Sequence, residues 1–224
     1  IFMFASAILQ AQVAQWGTNG AATNILPNGL TTGVIKVRSN FGSYSAIKSD
    51  GTVVVWGKSE RGGDPASVSS LTSVQEIYPL GVNAAEKLQR CFVAKKNDGT
   101  IYSWGDGLYG AGLSSKTGNK VIAHIAINYY SAIAIDNTGK FWGDGSYGAD
   151  INTNYFDAND ISNTQLSNIT KISGNAGSYT AIRSDGSVLN WGLWAKKLSD
   201  TDALKSGVVS ITSGYYNTSV LKDN

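Results

Sequence analysis

Hydrophobic positions recur along this chain in a fixed order and not as a helical stripe. Each cycle opens with an apolar-x-x-apolar pair, at Val34/Val37, Val74/Ile77, Ile122/Ile125, Ile169/Ile172 and Val208/Ile211. A small and apolar run follows: Ser45-Ala46-Ile47, Phe92-Val93-Ala94, Ser131-Ala132-Ile133, Thr180-Ala181-Ile182 and Ser219-Val220-Leu221. Next comes a turn signal, Asp50-Gly51, Asp98-Gly99, Asp136-Asn137-Thr138-Gly139 or Asp185-Gly186, and then a strand ending in Trp-Gly. Asp-Gly and Asn-x-Gly supply the positive φ of a hairpin turn, so each signal predicts two antiparallel strands, with a third strand ahead of them. No segment has convincing helical periodicity.

The period identifies the architecture. Trp-Gly stands at 16–17, 56–57, 104–105, 142–143 and 191–192, intervals of 40, 48, 38 and 49 residues, so five of the six tryptophans are read as periodic. The second apolar position of each opening pair recurs at 40, 48, 47 and 39 residues. A unit of three strands plus a looser segment after Trp-Gly cannot bury both faces alone. Stacked radially, such sheets cover one another, so the expected fold is all-β, a β-propeller. The chain stops at the run around Ser219-Val220-Leu221 and begins near Val13-Ala14-Gln15-Trp16-Gly17, which predicts five blades with one blade shared between the two terminal strands. Two insertions, around Tyr78 to Gln89 and Asn152 to Thr164, account for the longer periods. Residues 13–224 read as a single domain. Residues 1–12 read either as an extra strand over Phe4-Ala5-Ser6-Ala7-Ile8 or as the remnant of a signal peptide.

The residues also carry a family resemblance. Apolar-x-x-apolar, then Gly-x-Tyr-Ser/Thr-Ala-Ile, then Asp-Gly-x-Val-x-x-Trp-Gly resembles the repeat of the regulator of chromosome condensation (RCC1-like) family, almost throughout at Gly42 to Gly57 and Gly177 to Gly192. In style the chain is similar to bacterial secreted propellers such as the β-lactamase-inhibitor type. That resemblance implies a rim of loops, all at one end of the disc, that grips a partner protein. It also implies an exported bacterial protein, secreted or at the cell surface.

Composition narrows the chemistry. One cysteine (Cys91) and one histidine (His124) preclude an internal disulfide and leave no redundancy for a zinc cluster or a Ser-His-Asp triad. The carboxylates at the Asp-Gly turns serve geometry, and no glycosidase pair is visible. The expectation is therefore no enzyme, no cofactor and no metal. A net charge of +2 without a lysine and arginine run removes the footprint of a nucleic-acid binder. The apolar run at residues 1–9 is too short to span a bilayer, so no transmembrane segment is expected.

What remains is aromatic. The loops ahead of the small-apolar strands carry Tyr129, Tyr130, Tyr215 and Tyr216, with Arg90 at a related place. The segments after Trp-Gly add Tyr109, Tyr147 and Trp194, the one tryptophan outside the period. Tyrosine and arginine are typical interface anchors, giving much contact area for little lost entropy. The leading expectation is a non-enzymatic protein-binding propeller, an interaction, inhibitor or adhesion module. Aromatic faces beside Asn and Asp also suit sugar rings, so a five-bladed lectin binding glycan is an alternative. A structural subunit or fragment of a larger surface or appendage protein is the third.

Overall fold

A computed structural model of the chain describes residues 13, 27–40, 42–80, 91–107, 110–146, 149, 166–193 and 204–223. Five antiparallel sheets follow one another: β1 (Val34–Ser39), β2 (Ser43–Lys48) and β3 (Val53–Gly57); β4 (Val74–Pro79), β5 (Cys91–Lys96) and β6 (Ile101–Gly105); β7 (Ile122–Ile127), β8 (Ser131–Asp136) and β9 (Phe141–Gly145); β10 (Ile169–Gly174), β11 (Ser178–Arg183) and β12 (Val188–Gly192); and β13 (Val208–Ser213) with β14 (Thr218–Lys222). The first four are three-stranded meanders and the fifth has two strands. Among the described residues no blade has a fourth strand: after Trp56-Gly57 come 3-10 turns at Ser59–Arg61 and Pro65–Val68, and after Trp104-Gly105 a one-turn helix, α1 (Leu113–Thr117). So short a helix leaves no periodic trace in a sequence.

The turns form for the reason their residues suggest. Asp50 Oδ1 accepts the Thr52 N–H at 2.9 Å and its hydroxyl at 2.6 Å. Asp98 repeats both bonds with Thr100. These bonds hold the Asp50 and Asp98 carboxyls below their usual range.

The core lies between blades. Ile47, Val53 and Val55 of the first sheet pack on Val74, Ile77, Phe92 and Trp104 of the second. Cys91, Val93 and Ile101 pack on Ile122, Ile125 and Ala134 of the third. Ile133 and Ile135 pack on Ile169, Tyr179 and Trp191 of the fourth. Burying one such large side chain contributes about 1.5–3 kcal/mol. Three blade tryptophans lie against an aromatic on the neighbouring strand, Tyr44–Trp56 and Phe92–Trp104 at 5.2 Å and Tyr179–Trp191 at 5.6 Å.

The third blade departs from the expected pattern. Tyr44 faces Trp56, Phe92 faces Trp104 and Tyr179 faces Trp191, but in β8 and β9 it is Ala132 that faces Asp144, and Trp142 lies two residues earlier against Ala134. Asp144-Gly145 therefore occupies the Trp-Gly position, and Trp142-Gly143 is not the periodic dipeptide. Gly145 has φ +107, matching +104 at Gly57 and +112 at Gly192. Trp104 Nε1 donates to the Gly62 carbonyl of the preceding blade at 3.0 Å. Asp144 meets its preceding blade with the opposite polarity: Oδ2 accepts the Gly112 N–H at 2.8 Å and Oδ1 pairs with Lys116 at 2.9 Å. Trp142 instead carries Lys140 over its ring at 5.2 Å.

Among the described residues the sheets do not close into a ring. β14 pairs with β13 on one side only, and Leu221 is 63% exposed. Val13 lies beside the first blade, packed against the Leu30, Val34, Ala46 and Trp56 cluster, and its N–H donates to the Leu30 carbonyl at 3.4 Å. Residues 14–17, on which a shared blade depends, lie outside the described residues, as do residues 1–12 and most of both insertions.

Candidate protein-interaction surface

Among the described residues, the loops from the first to the second strand of the first, third, fourth and fifth blades lie at one end of the molecule. In three blades an asparagine builds the loop. Asn40 Oδ1 accepts the Ser43 N–H at 3.0 Å, and Asn128 Oδ1 accepts the Tyr130 N–H at 2.8 Å and the Ser131 hydroxyl at 3.0 Å. Asn175 Oδ1 takes the N–H groups of Gly177 and Ser178 and the Ser178 hydroxyl. These bonds fix the two residues between asparagine and serine as a tight tip. The signal was present as Asn three residues ahead of Ser, and the sequence reading passed over it.

Counted from that position, Tyr129 and Tyr130 of the third blade correspond to Tyr215 and Tyr216 of the fifth. Backbone bonds link the tips across the fourth blade, from Tyr129 N–H to Ala176 O at 3.3 Å and from Ala176 N–H to Tyr215 O at 3.0 Å. Three rings meet as a result. Tyr129 and Tyr215 have centroids 4.9 Å apart, and Tyr216 stands edge-on to Tyr215 at 4.2 Å. Tyr216 is 72% exposed, while Tyr129 and Tyr215 are half-buried. Burial pushes the Tyr129 hydroxyl pKa up, so the ring stays neutral.

Tyr130 sits in the same loop, its carbonyl accepting the Ser146 N–H at 2.9 Å. Tyr179 is fully buried, with its hydroxyl donating to the Ser131 carbonyl at 2.9 Å, and is structural. Arg90, Tyr109, Tyr147 and Trp194 lie outside the described residues.

The parallel first strands β1, β4, β7 and β10 end at this rim. A cavity of about 480 Å³ lies between them, lined among others by Pro79, Ile127 and Ile172 and by the charged pair Arg38 and Glu76. Glu76 bridges Lys36 at 2.6 Å and Arg38 at 2.9 Å. Burial opposes its ionisation, but the Lys36 bond, the Ile77 N–H and the two cations outweigh that and hold it below the usual range.

Cys91 is fully buried and desolvation drives its thiol pKa strongly upward, so it packs as an apolar residue and not as a nucleophile. His124 is half-buried and hydrogen-bonded to the Ile169 backbone of the next blade. Among the described residues no three His, Cys, Asp or Glu side chains come together as a metal site, and no helix is long and apolar enough to cross a membrane.

No protein-family model matches the chain, and no curated protein matches it in sequence. Solved structures do match. Human WBSCR16 is 14% identical with a TM-score of 0.54, over 92% of this chain and 64% of its own. Prp20p of Saccharomyces cerevisiae is 12% identical with a TM-score of 0.56, over 85% and 56%. The ectodomain of the Physcomitrella patens receptor kinase CR4 is 16% identical with a TM-score of 0.51, over 85% and 51%. The chain thus spans between about half and two thirds of the length of these structures. Its fold is that of the RCC1-like β-propellers, of which Prp20, described as yeast RCC1, is one.

Proposed function

We propose that this chain is a non-enzymatic protein-binding module that presents Tyr129, Tyr215 and Tyr216 to a partner. The observation that carries the reading is the ring cluster: side chains from the third and fifth blades meet on loops tied by backbone bonds, with Tyr216 in solvent. A preorganised aromatic patch of this kind loses little entropy on binding. The Prp20p structure is described together with its binding to Gsp1p and histones, which supports the use of such a propeller for protein contacts. The reading extends to an exported bacterial protein of the interaction, inhibitor or adhesion class, and to five blades with residues 13–17 completing the last.

Affinity capture with the purified chain and with Tyr129→Ala/Tyr216→Ala tests it. The expected outcome is a protein retained by the first and lost by the second, with the two melting at the same temperature. A glycan-array signal abolished by the same pair would make the protein a lectin instead. Identical captured proteins from both would remove the tyrosines from the site.

A further inference from the structure

The cavity beneath the tyrosine rim has a role of its own. Its wall includes Pro79 at the end of β4, Ile127 at the end of β7 and Ile172 in β10, with Ser173, Gly174, Arg38 and Glu76 beside them. The charge there is unbalanced: Arg38 and Glu76 line the cavity, and the single Glu76 carboxylate bridges both Arg38 and Lys36. Arg38 donates through Nη2 to Glu76 and through Nη1 to the Val37 carbonyl, and its guanidinium has donors to spare. An apolar-walled concavity with a few convergent polar groups is the usual form of a ligand site, and at about 480 Å³ it holds more than one side chain. Its place matters equally. Ile127 and Gly174, which line it, directly precede Asn128 and Asn175, the residues that hold the rim loops.

We propose that this channel mouth is the anchor pocket of the tyrosine surface, and that the partner is a protein loop whose tip inserts an apolar side chain with a neighbouring Asp or Glu. The apolar side chain lies against Ile127, Pro79 and Ile172, and the carboxylate meets Arg38 and Lys36. The inference rests on the protein-binding reading and adds the chemistry of the segment bound.

The probe is a library of disulfide-closed random peptides, displayed on phage and selected on the immobilised full chain. The expected consensus is an apolar residue beside Asp or Glu. A selected peptide is then titrated against the wild type, Ser173→Phe, Arg38→Gln and Tyr129→Ala/Tyr216→Ala. Ser173 lines the cavity at its side, so Phe there fills the space, whereas Arg38→Gln leaves the volume and removes the charge. Each is expected to weaken binding about tenfold or more. Replacing the peptide carboxylate by its amide should cost as much on the wild type and little further on Arg38→Gln. Should Ser173→Phe fail to fold, that charge cycle decides alone. Peptides lost only on the tyrosine variant would overturn the anchor pocket and leave the protein-binding reading standing. Peptides insensitive to all the variants, or none recovered, would overturn both. Dodecanoate bound in the cavity, displaced by Ser173→Phe, with no peptide sensitive to Arg38→Gln, would assign the pocket to a small amphiphile and overturn the proposal.

Discussion

At the scale of single residues, Asp144 shows how one polar group takes over the work of a large aromatic. Trp104 donates across its blade junction and Asp144 accepts across its own, and the aromatic partner strand position changes with it, from Phe92 to Ala132. Asp144→Asn keeps an acceptor for the Gly112 N–H and loses only the pair with the half-exposed Lys116, so it should cost less than about 1 kcal/mol. Asp144→Ala strands the Gly112 N–H and should cost about 1–3 kcal/mol. Asp144→Trp, which restores the repeat by sequence, should be no better than Ala, because the position faces a donor and lacks a flat partner. Urea midpoints of the three variants rank them.

His124 carries a pH dependence. Burial, chiefly, holds its pKa below the ordinary 6.5, against the opposing bond to the Ile169 backbone. The unfolded chain therefore binds a proton that the folded chain resists. Stability contributed by neutral His124 is complete above about pH 6.5 and declines as pH falls toward the lower folded value. Melting temperatures from pH 7.5 to 5 should fall for the wild type and fall less for His124→Gln. Equal slopes would show that His124 is not the group responsible.

At the scale of elements, every first strand carries a register shift at one place, between Val34 and Lys36, Val74 and Glu76, Ile122 and His124, Ile169 and Lys171, and Val208 and Ser210. The bulged residue is the first x of the apolar-x-x-apolar pair: Ile35, Gln75, Ala123, Thr170 and Val209. Lysines of the preceding blade cap its carbonyl: Lys36 to Gln75 O at 3.4 Å, Lys95 to Ala123 O at 3.2 Å and Lys171 to Val209 O at 2.6 Å. The spacing of that pair was legible in the sequence, but the bulge was not, because an unpaired carbonyl has no residue signature. Ala123 is half-buried and Val209 exposed, so water replaces the lost donor more readily at Val209. Lys95→Met should therefore destabilise by about 1 kcal/mol and Lys171→Met by less. Equal losses would show that burial of the acceptor does not set the cost.

The blades themselves were readable because three local signals coincide: turn Asp and Gly, period-two strands and a tryptophan a fixed distance later. The third blade was misread where those signals disagree. Trp142 was taken as the marker, yet five residues beyond the turn glycine, where Gly51 leads to Trp56 and Gly186 to Trp191, Gly139 leads to Asp144. The same two-residue displacement puts Ala132, and not Tyr130, at the place of Tyr44 and Tyr179. Turn chemistry fixes register more tightly than a side chain that a hairpin can carry on either of two positions. The tyrosine cluster was legible as residues but not as an assembly, since the backbone bonds through Ala176 depend on how neighbouring blades stack.

At the scale of the whole molecule, the edge of β14 away from β13 has no partner strand among the described residues. Val13 gives a lead. It packs on Leu30, Val34 and Trp56 much as Val53 of the first blade packs on Leu71, Val74 and Trp104 of the second. A third strand of a blade preceding the first would place a valine there. If residues 13–17 form that strand on β14, the register of β2 with β3 carries over, where Ser45 faces Val55 and Ile47 faces Val53. Gln15 then faces Ser219, and Val13 faces Leu221. The double variant Gln15→Cys/Ser219→Cys should form an intramolecular disulfide under mild oxidation, since facing strand positions lie within bridging distance and the native Cys91 is buried. Monomeric oxidised protein with a raised melting temperature would establish closure within one chain. Disulfide-linked dimers would mean that the strand is exchanged between copies, and free thiols in a monomer would mean that β14 pairs with neither. Closure also bears on the rim, because Tyr215 and Tyr216 stand on the blade that this strand would complete. A variant in which the disulfide forms should hold the tyrosine cluster more rigidly and bind its partner more slowly released, measured as a lower dissociation rate.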